Sequence, residues 1–290
     1  MPPRAAFFVS ALNFEDVGFR YGRQRRLPLR SFSSSPLFPR GLPVSLSPTR
    51  SSLFAILALT TCAVVQAQTT PLAQTAPDPA VTASTMQQLI ARRDDFAQKA
   101  KSIRPGCTLA PPKIEITEVP SFGNYDPDTN TLRTSAWWLL NADQKKLFFH
   151  LDGPDADDQA AQRVFEHGTY SWVFVHELGH WWQACIDSVK SKTHYQREYD
   201  ANRIAAAYWR ETNPALLQGL TAGFTRILAG ALNPVPGGQT PEQFFNDNYA
   251  TLAHAAGYIW FQARMVTDVS AETPAPSFAD ALSHSQLQTK

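Results

Sequence analysis

The feature that most constrains this chain is a pair of histidines inside an apolar stretch, residues 172–182. His176 and His180 are four residues apart, so on a helix they lie about 40° apart around the axis with a rise of about 6 Å. Two imidazoles in that relation can reach one tetrahedral zinc ion. Glu177 follows the first histidine and can act on a metal-bound water. The segment therefore predicts a buried metal-binding helix with a general base beside the metal.

A catalytic zinc ion takes three protein ligands and one water, so a third ligand is required. A third histidine six residues after His180 is excluded, because position 186 is Ile and position 183 is Gln. The other route is a glutamate from a following helix, and Glu198 stands 18 residues beyond His180. Asn202 lies one turn after Glu198 on the same face, where its amide oxygen can accept the second N–H of a ligating histidine.

Two other residues compete with Glu198 as the third ligand. Asp200 is close in sequence, but it points about 200° around the helix from Glu198. His194 is a lone histidine predicted to lie in a loop, and such residues are more often at the surface. We therefore expect His176, His180 and Glu198 to be the ligands and leave Asp200 and His194 open as alternatives.

These residues resemble the gluzincin metallopeptidases, whose motifs are His-Glu-x-x-His and Glu-x-x-Ala-(Asp/Asn). Glu198, Ala201 and Asn202 match the second motif, with Asn where Asp is usual. The resemblance covers residues 173–206. It implies an α+β fold in which a small zincin-like sheet packs on the motif helix, followed by a mostly helical C-terminal part. A hairpin over residues 124–134 would offer an edge strand to an extended peptide.

The activity that the resemblance implies is hydrolysis of peptide bonds with one zinc ion per chain. Zinc polarises the scissile carbonyl, and Glu177 takes a proton from the metal-bound water and passes it to the leaving amine. A further donor should stabilise the oxyanion, and Tyr208, Tyr249 and His254 are candidates that the sequence does not separate. The implied partner is a peptide or protein substrate.

A second hypothesis is a non-catalytic exported module that binds metal, or another protein, on a zincin scaffold. The presence of Glu177 favours the enzyme, since a purely structural metal site has no need of that carboxylate.

Charge is unevenly distributed along the 290 residues, although the net charge is only +1. The first 67 residues carry eight Arg, no Lys and two acidic residues, so the remaining chain has a net charge of −5. Since no basic patch with interleaved aromatic residues lies in this acidic part, we expect no nucleic-acid partner. Oligomeric state is not indicated by any pattern in the sequence.

Residues 50–67 combine Arg50, an apolar run and a small-residue site at Val65-Gln66-Ala67, which predicts an export signal. The run is shorter than the roughly 20 apolar residues of a membrane span. We therefore expect an exported protein, periplasmic or secreted, with no stable membrane span after signal removal, or a membrane-anchored one if the signal is retained. Residues 1–49 are Arg-, Ser- and Pro-rich, and we interpret them as a disordered, mis-started leader, with a transit peptide as the alternative.

The rest of the chain is predicted to hold a linker at 68–80, one metallopeptidase-like domain at 81–275 and a C-terminal tail at 276–290. Hydrophobic periodicity predicts a strand near residues 114–119 and helices at 86–103, 141–150, 169–187, 195–211, 214–230 and 244–269, the last with a break near Gly257. Cys107 and Cys185 remain after removal of the leader, and in an oxidising compartment they are expected to form a disulfide. Two buried free thiols are the alternative.

Overall fold

The first helix begins where Asp78 meets Pro79, because the aspartate side chain accepts a hydrogen bond from the Ala80 N–H at 2.8 Å. Pro79 occupies the first helical position, where its missing N–H costs no hydrogen bond. The helix α1, Pro79–Ile103, therefore starts seven residues before the predicted residue 86. The domain likewise begins inside the segment expected to be linker.

The structure is a computed structural model and describes residues 78–153, 155–186, 192–252 and 256–284. The predicted leader at 1–49, the export signal at 50–67 and the linker up to residue 77 lie outside the described residues. The strands are β1 Lys113–Ile116, β2 Gly123–Asp126 and β3 Thr131–Thr134. The other helices are α2 Ala142–Asp152, α3 Asp158–Glu166, α4 Phe174–Cys185, α5 His194–Thr212, α6 Pro214–Gly230, α7 Pro241–Leu252, α8 Ala256–Ser270 and α9 Phe278–His284. A 3-10 turn spans Trp137–Leu139, and a π-helix spans His167–Val173.

The three strands form one small mixed sheet in the order β1-β3-β2. β2 and β3 are an antiparallel hairpin in which Tyr125 pairs with Leu132, and its turn contains Asn130 at a φ of 48°. β1 runs parallel to β3. The predicted α+β class and the hairpin are confirmed, with β2 at the edge of the sheet next to α4.

The segment before α4 is a π-helix, whereas the sequence predicted a continuous α-helix from residue 169. The N–H of Phe174 bonds to the carbonyl of Thr169, five residues back. Two side chains from other helices bind carbonyls of this wider turn. The Trp209 indole N–H donates to the Ser171 oxygen at 3.0 Å, and the Arg92 guanidinium donates to the Tyr170 oxygen. Single π turns inside helices are frequent at functional sites.

α4 and α5 pack with their backbones in close approach at Gly179. A Cβ at that position would lie 3.1 Å from the Ala201 Cα and 3.2 Å from the Ala201 carbonyl oxygen. Glycine and alanine therefore set the spacing between the helix that carries both histidines and the helix that carries Glu198. At its other end α4 is joined to the segment before β1 by the Cys107–Cys185 disulfide, with the Cα atoms 5.5 Å apart.

The segment expected to be a C-terminal tail contains α9, which packs into the main core. Phe278 and Leu282 on this helix are buried, and the Trp182 indole N–H donates to the Leu282 carbonyl at 3.2 Å. The domain therefore extends past residue 275. The described helices include none long and apolar enough to cross a membrane.

Candidate metal centre

Three side chains converge beneath the sheet, and each offers one atom that can bind a metal. The Nε2 atoms of His176 and His180 are 3.1 Å apart. One Glu198 oxygen lies 3.2 Å from His176 Nε2, and the other lies 3.6 Å from His180 Nε2. These donor atoms all lie within 4.8 Å of one another. His176 and Glu198 are each only 5% exposed, so the group is screened from solvent.

The helices position these donors as the spacing requires. His176 and His180 stand one turn apart on α4, with ring centroids 4.7 Å apart and ring planes nearly perpendicular at 88°. α5 begins at a capping box in which the Thr193 hydroxyl accepts from the Gln196 N–H and the Gln196 side chain accepts from the Thr193 N–H. This fixed start places Glu198 in the second turn of α5, opposite the two imidazoles.

Side-chain amides hold both imidazoles in one orientation. His176 Nδ1 lies 3.1 Å from Asn202 Oδ1, and His180 Nδ1 lies 2.9 Å from Gln183 Oε1. The Asn202 amide orientation follows from its neighbours, because its Oδ1 also faces the Trp172 indole N–H at 3.1 Å and its Nδ2 donates to the Glu198 carbonyl at 3.0 Å. An indole N–H can only donate and a carbonyl can only accept.

Gln183 is oriented by the same logic, since its Nε2 donates to the Arg197 carbonyl at 2.8 Å. Both histidines thus face an acceptor at Nδ1, and Nδ1 carries a proton in each. In the neutral tautomer the lone pairs of both Nε2 atoms then point at each other and at the Glu198 carboxylate. Three lone-pair donors on one spot is the arrangement that a divalent cation stabilises. This buried group fits a metal ion.

Glu198 is held by donors from a further helix. The Tyr258 hydroxyl donates to its Oε2 at 3.1 Å, and the Gln262 amide donates to the same oxygen at 3.0 Å. Tyr249 on α7 reaches the other oxygen at 3.4 Å. Tyr258 and Gln262 are four residues apart on α8. Neither residue was predicted from the sequence, because the four-residue spacing places them on one face of α8 without relating that face to Glu198.

The group is strongly coupled electrostatically. Burial alone lowers the pKa of His180, but Glu198, with help from Glu177 and Gln183, raises it to about 9. Burial raises the pKa of Glu198, yet the two histidines outweigh this and hold it well below its usual range. Burial and the charge of Glu198 raise the pKa of Tyr258. These shifts favour an ionised Glu198 and a protonated His180, so a metal ion bound there would displace a proton.

Glu177 is on α4, and its side chain lies between this helix and the edge strand β2. Its Oε2 accepts a hydrogen bond from the Tyr125 N–H at 2.8 Å, and the residue is 9% exposed. This backbone N–H points away from β3 because its neighbours in β2 make the ladder bonds. Gly123 allows the close approach of strand and helix, since a Cβ there would lie 2.6 Å from Val173 Cγ1.

The structure assigns other roles to several residues considered as ligands or oxyanion donors. Tyr208 was a candidate donor, but its hydroxyl donates to Asp95 at 2.7 Å and its ring packs against Phe278, so it belongs to the core. Asp200 pairs with Lys192. His194 stacks on Tyr249 with centroids 3.9 Å apart.

Tyr249 is the one candidate donor that the structure brings to the ligand residues. His254 lies outside the described residues. Among the described residues, the group that could hold a metal ion (the metal-binding group) comprises His176, His180 and Glu198, without Asp200 or His194.

Comparisons of this chain with protein-family models, curated proteins and solved structures found no match. Any functional conclusion therefore depends on the chemistry of the residues themselves.

Proposed function

We propose that this protein is an exported zinc metallopeptidase of gluzincin type. The observation that carries the proposal is the convergence of His176, His180 and Glu198 with the Glu177 carboxylate beside them. Two imidazoles and one carboxylate are the ligand set of a catalytic zinc site with one open position. A structural zinc site is instead closed by four protein ligands.

A zinc ion held there would polarise the scissile carbonyl and lower the pKa of the attacking water. Glu177 accepts a proton from that water while the water oxygen bonds to the carbonyl carbon. It then delivers the proton to the leaving nitrogen as the C–N bond breaks. Water's other proton leaves with the new carboxyl group. Asn202 and Gln183 keep the imidazoles oriented throughout.

Tyr249 is our candidate for stabilising the negative charge on the carbonyl oxygen. Its hydroxyl is 3.4 Å from Glu198, which is a longer contact than the 3.1 Å from Tyr258. A hydroxyl held this weakly can turn to a substrate oxygen at little cost. Tyr258 instead keeps Glu198 in place.

A peptide substrate would bind in extended form along the free edge of β2. Edge strands offer backbone groups to an added strand, and β2 is an edge strand that lies beside Glu177, which accepts the Tyr125 N–H. The peptide backbone would then run past the general base.

Export is supported by the apolar run and small-residue site at residues 50–67. The Cys107–Cys185 disulfide supports it independently, because disulfides persist in oxidising compartments.

The alternative is a metal-binding module without catalysis, and one observation favours it. The Glu177 carboxylate already accepts the Tyr125 N–H, so it has a structural use that needs no reaction. The two hypotheses differ in what Glu177→Gln does.

The test is Glu177→Gln in the full chain, loaded with one equivalent of zinc and assayed against a peptide library. We expect zinc content to stay at one per chain and hydrolysis to fall by about 10²–10⁴, the usual contribution of a general base. Glu118→Gln, at an exposed position, is the matched control and should change neither quantity. Unchanged hydrolysis in Glu177→Gln with zinc retained would refute the enzyme hypothesis.

A further inference from the structure

An apolar cavity of about 460 Å³ lies beside the metal-binding group. It is lined by the loop before β2 and by residues of α2, α3, the π-helix, α6 and α8. The side chains that define its interior are Phe122, Phe148, Leu151, Leu220, Phe224 and Ile259. The charged residues of its lining, such as Arg163 and Asp152, are exposed to solvent.

The cavity shares a wall with the metal centre. Tyr258 and Gln262 line it, and both also donate to the Glu198 Oε2. Val173, three residues before the first histidine, lines it from the π-helix. A molecule bound in the cavity would therefore be separated from the three metal-ligand residues by only one side chain.

The size of the cavity exceeds what one amino-acid side chain fills. A dry apolar cavity of about 150 Å³ takes one benzene molecule, and this cavity is about three times as large. Its occupant is therefore either several side chains or one long apolar chain.

The chemistry of the walls decides between these two. A peptide backbone inside the cavity would need hydrogen-bond partners, since burying an unpaired amide is costly. Several polar wall residues are already engaged: Ser121 donates to the Gly123 carbonyl at 2.8 Å, and Asn141 and Gln144 bond each other in a capping box. An unbranched hydrocarbon chain has no such need.

We propose that this cavity binds a fatty acyl chain, and that the substrate is a peptide carrying such a chain near the bond that is cut. This names the substrate class of the proposed metallopeptidase and rests on that function. The peptide portion lies along β2 while the acyl chain enters the cavity. Each methylene buried contributes roughly 0.8 kcal/mol, about a fourfold gain in affinity per carbon.

Two glycines in the wall allow the cavity to be filled without disturbing the fold. A Cβ added at Gly219 or Gly223 on α6 meets no atom within 4 Å, and both positions line the cavity. Leucine is also a better helix former than glycine, so Gly223→Leu should fold at least as stably. Ala222→Leu adds the same side chain on the exposed face of the same helix.

The experiment is calorimetric titration of the zinc-loaded full chain with octanoate, decanoate and dodecanoate, which contain no bond to hydrolyse. We expect affinity to rise with chain length, Gly223→Leu to weaken dodecanoate binding at least tenfold, and Ala222→Leu to leave it unchanged. No binding, no length dependence or an unaffected Gly223→Leu overturns the proposal.

A second arm compares three short peptide amides of one sequence that carry an N-acetyl group, an N-dodecanoyl group, or an N-acetyl-Phe-Leu extension, titrated into Glu177→Gln to prevent turnover. We expect the dodecanoyl peptide to bind most tightly and to compete with dodecanoate. Tighter binding of the Phe-Leu peptide would identify a peptide-binding cavity, and binding of dodecanoate alone would identify a free fatty-acid site; either result overturns the proposal. Hydrolysis by Glu177→Gln equal to the wild type would refute the peptidase while leaving the binding result intact.

Discussion

The metal-binding group and the apolar cavity share a wall but are built in opposite ways. The three ligand residues lie within 23 positions of sequence and are held by directed hydrogen bonds such as that from the His176 Nδ1–H to the Asn202 amide oxygen. The cavity is assembled from five helices and one loop, and its lining is mostly apolar. The arrangement of the three ligand residues is thus specified mainly by local sequence, whereas the shape of the cavity depends on how distant helices pack. The two regions should respond to different substitutions.

Glu198→Ala should have the largest effect, because it removes a ligand and the acceptor of Tyr258 and Gln262. Loss of a residue that only orients a ligand costs 10–100-fold in metal affinity, so loss of the ligand should cost more than about 100-fold. Zinc content after mild chelation, measured by elemental analysis, gives the answer, and fatty-acid binding should survive. Asp200→Asn is the control; zinc loss there with retention in Glu198→Ala would move the third ligand to Asp200.

Asn202→Ala and Gln183→Ala should weaken zinc binding by about 10–100-fold each. The Asn202 effect should be the larger, because this side chain also accepts from Trp172 and donates to the Glu198 carbonyl. Asn202→Ala should also lower the free energy of unfolding by about 1–3 kcal/mol, since buried polar groups lose their partners. Competition with a chelator and urea unfolding measure the two quantities. Wild-type affinity in both variants would show that the amides do not orient the ligands.

Zinc affinity should fall by about tenfold for each pH unit below 9, because one proton must leave His180 when metal binds. The raised pKa of His180, about 9, sets the upper end of this range. Glu198 stays ionised throughout, since its pKa lies well below the usual value. Chelator competition at several pH values between 6 and 9 tests the slope. An affinity independent of pH in that range would mean that His180 is neutral in the metal-free protein.

Phe224→Ala should have the smallest effect on the metal and reports on the cavity alone. Its ring is half-buried and packs edge-on against Trp172, with centroids 5.5 Å apart. We expect a loss of about 1–2 kcal/mol in stability, less than for a fully buried phenylalanine, and a change in zinc affinity below about threefold. A large drop in zinc affinity would show that the two regions are coupled.

The difference between local spacing and long-range packing explains which site residues could be predicted from the sequence. His176, His180, Glu198 and Asn202 follow from the four-residue spacing of one helix turn, which is local information. Tyr258 lies 60 residues beyond Glu198, and its place beside that carboxylate depends on how α8 packs against α5. Such a register has no local signal.

Tyr208 shows an error that local geometry could have prevented. It lies six residues after Asn202, about 240° around the helix, so it faces Asp95 on α1 instead of the metal-binding group.

Parts of the fold also could not be predicted from the sequence, because they depend on contacts between distant residues. The π-helix at His167–Val173 depends on distant donors such as Trp209, which bind carbonyls that the wider turn exposes. The helix α9 is short, and burial of Phe278 against α1 and α5 makes it stable. By contrast, Asp78 and Pro79 are a local helix-start signal. The predicted start at residue 86 followed the hydrophobic pattern and ignored that signal.

The central claim is that His176, His180 and Glu198 hold one metal ion. X-ray absorption at the zinc K-edge of the full chain, loaded with one equivalent of zinc, tests it most directly. We predict two imidazole nitrogens, one carboxylate oxygen and one further oxygen at about 2.0–2.2 Å. The spectrum of Glu198→Ala should lack the carboxylate oxygen and show weaker imidazole scattering than that of the wild type. A shell of sulfur at about 2.3 Å, or a spectrum of Glu198→Ala identical to that of the wild type, would contradict the claim that these three residues hold the metal ion.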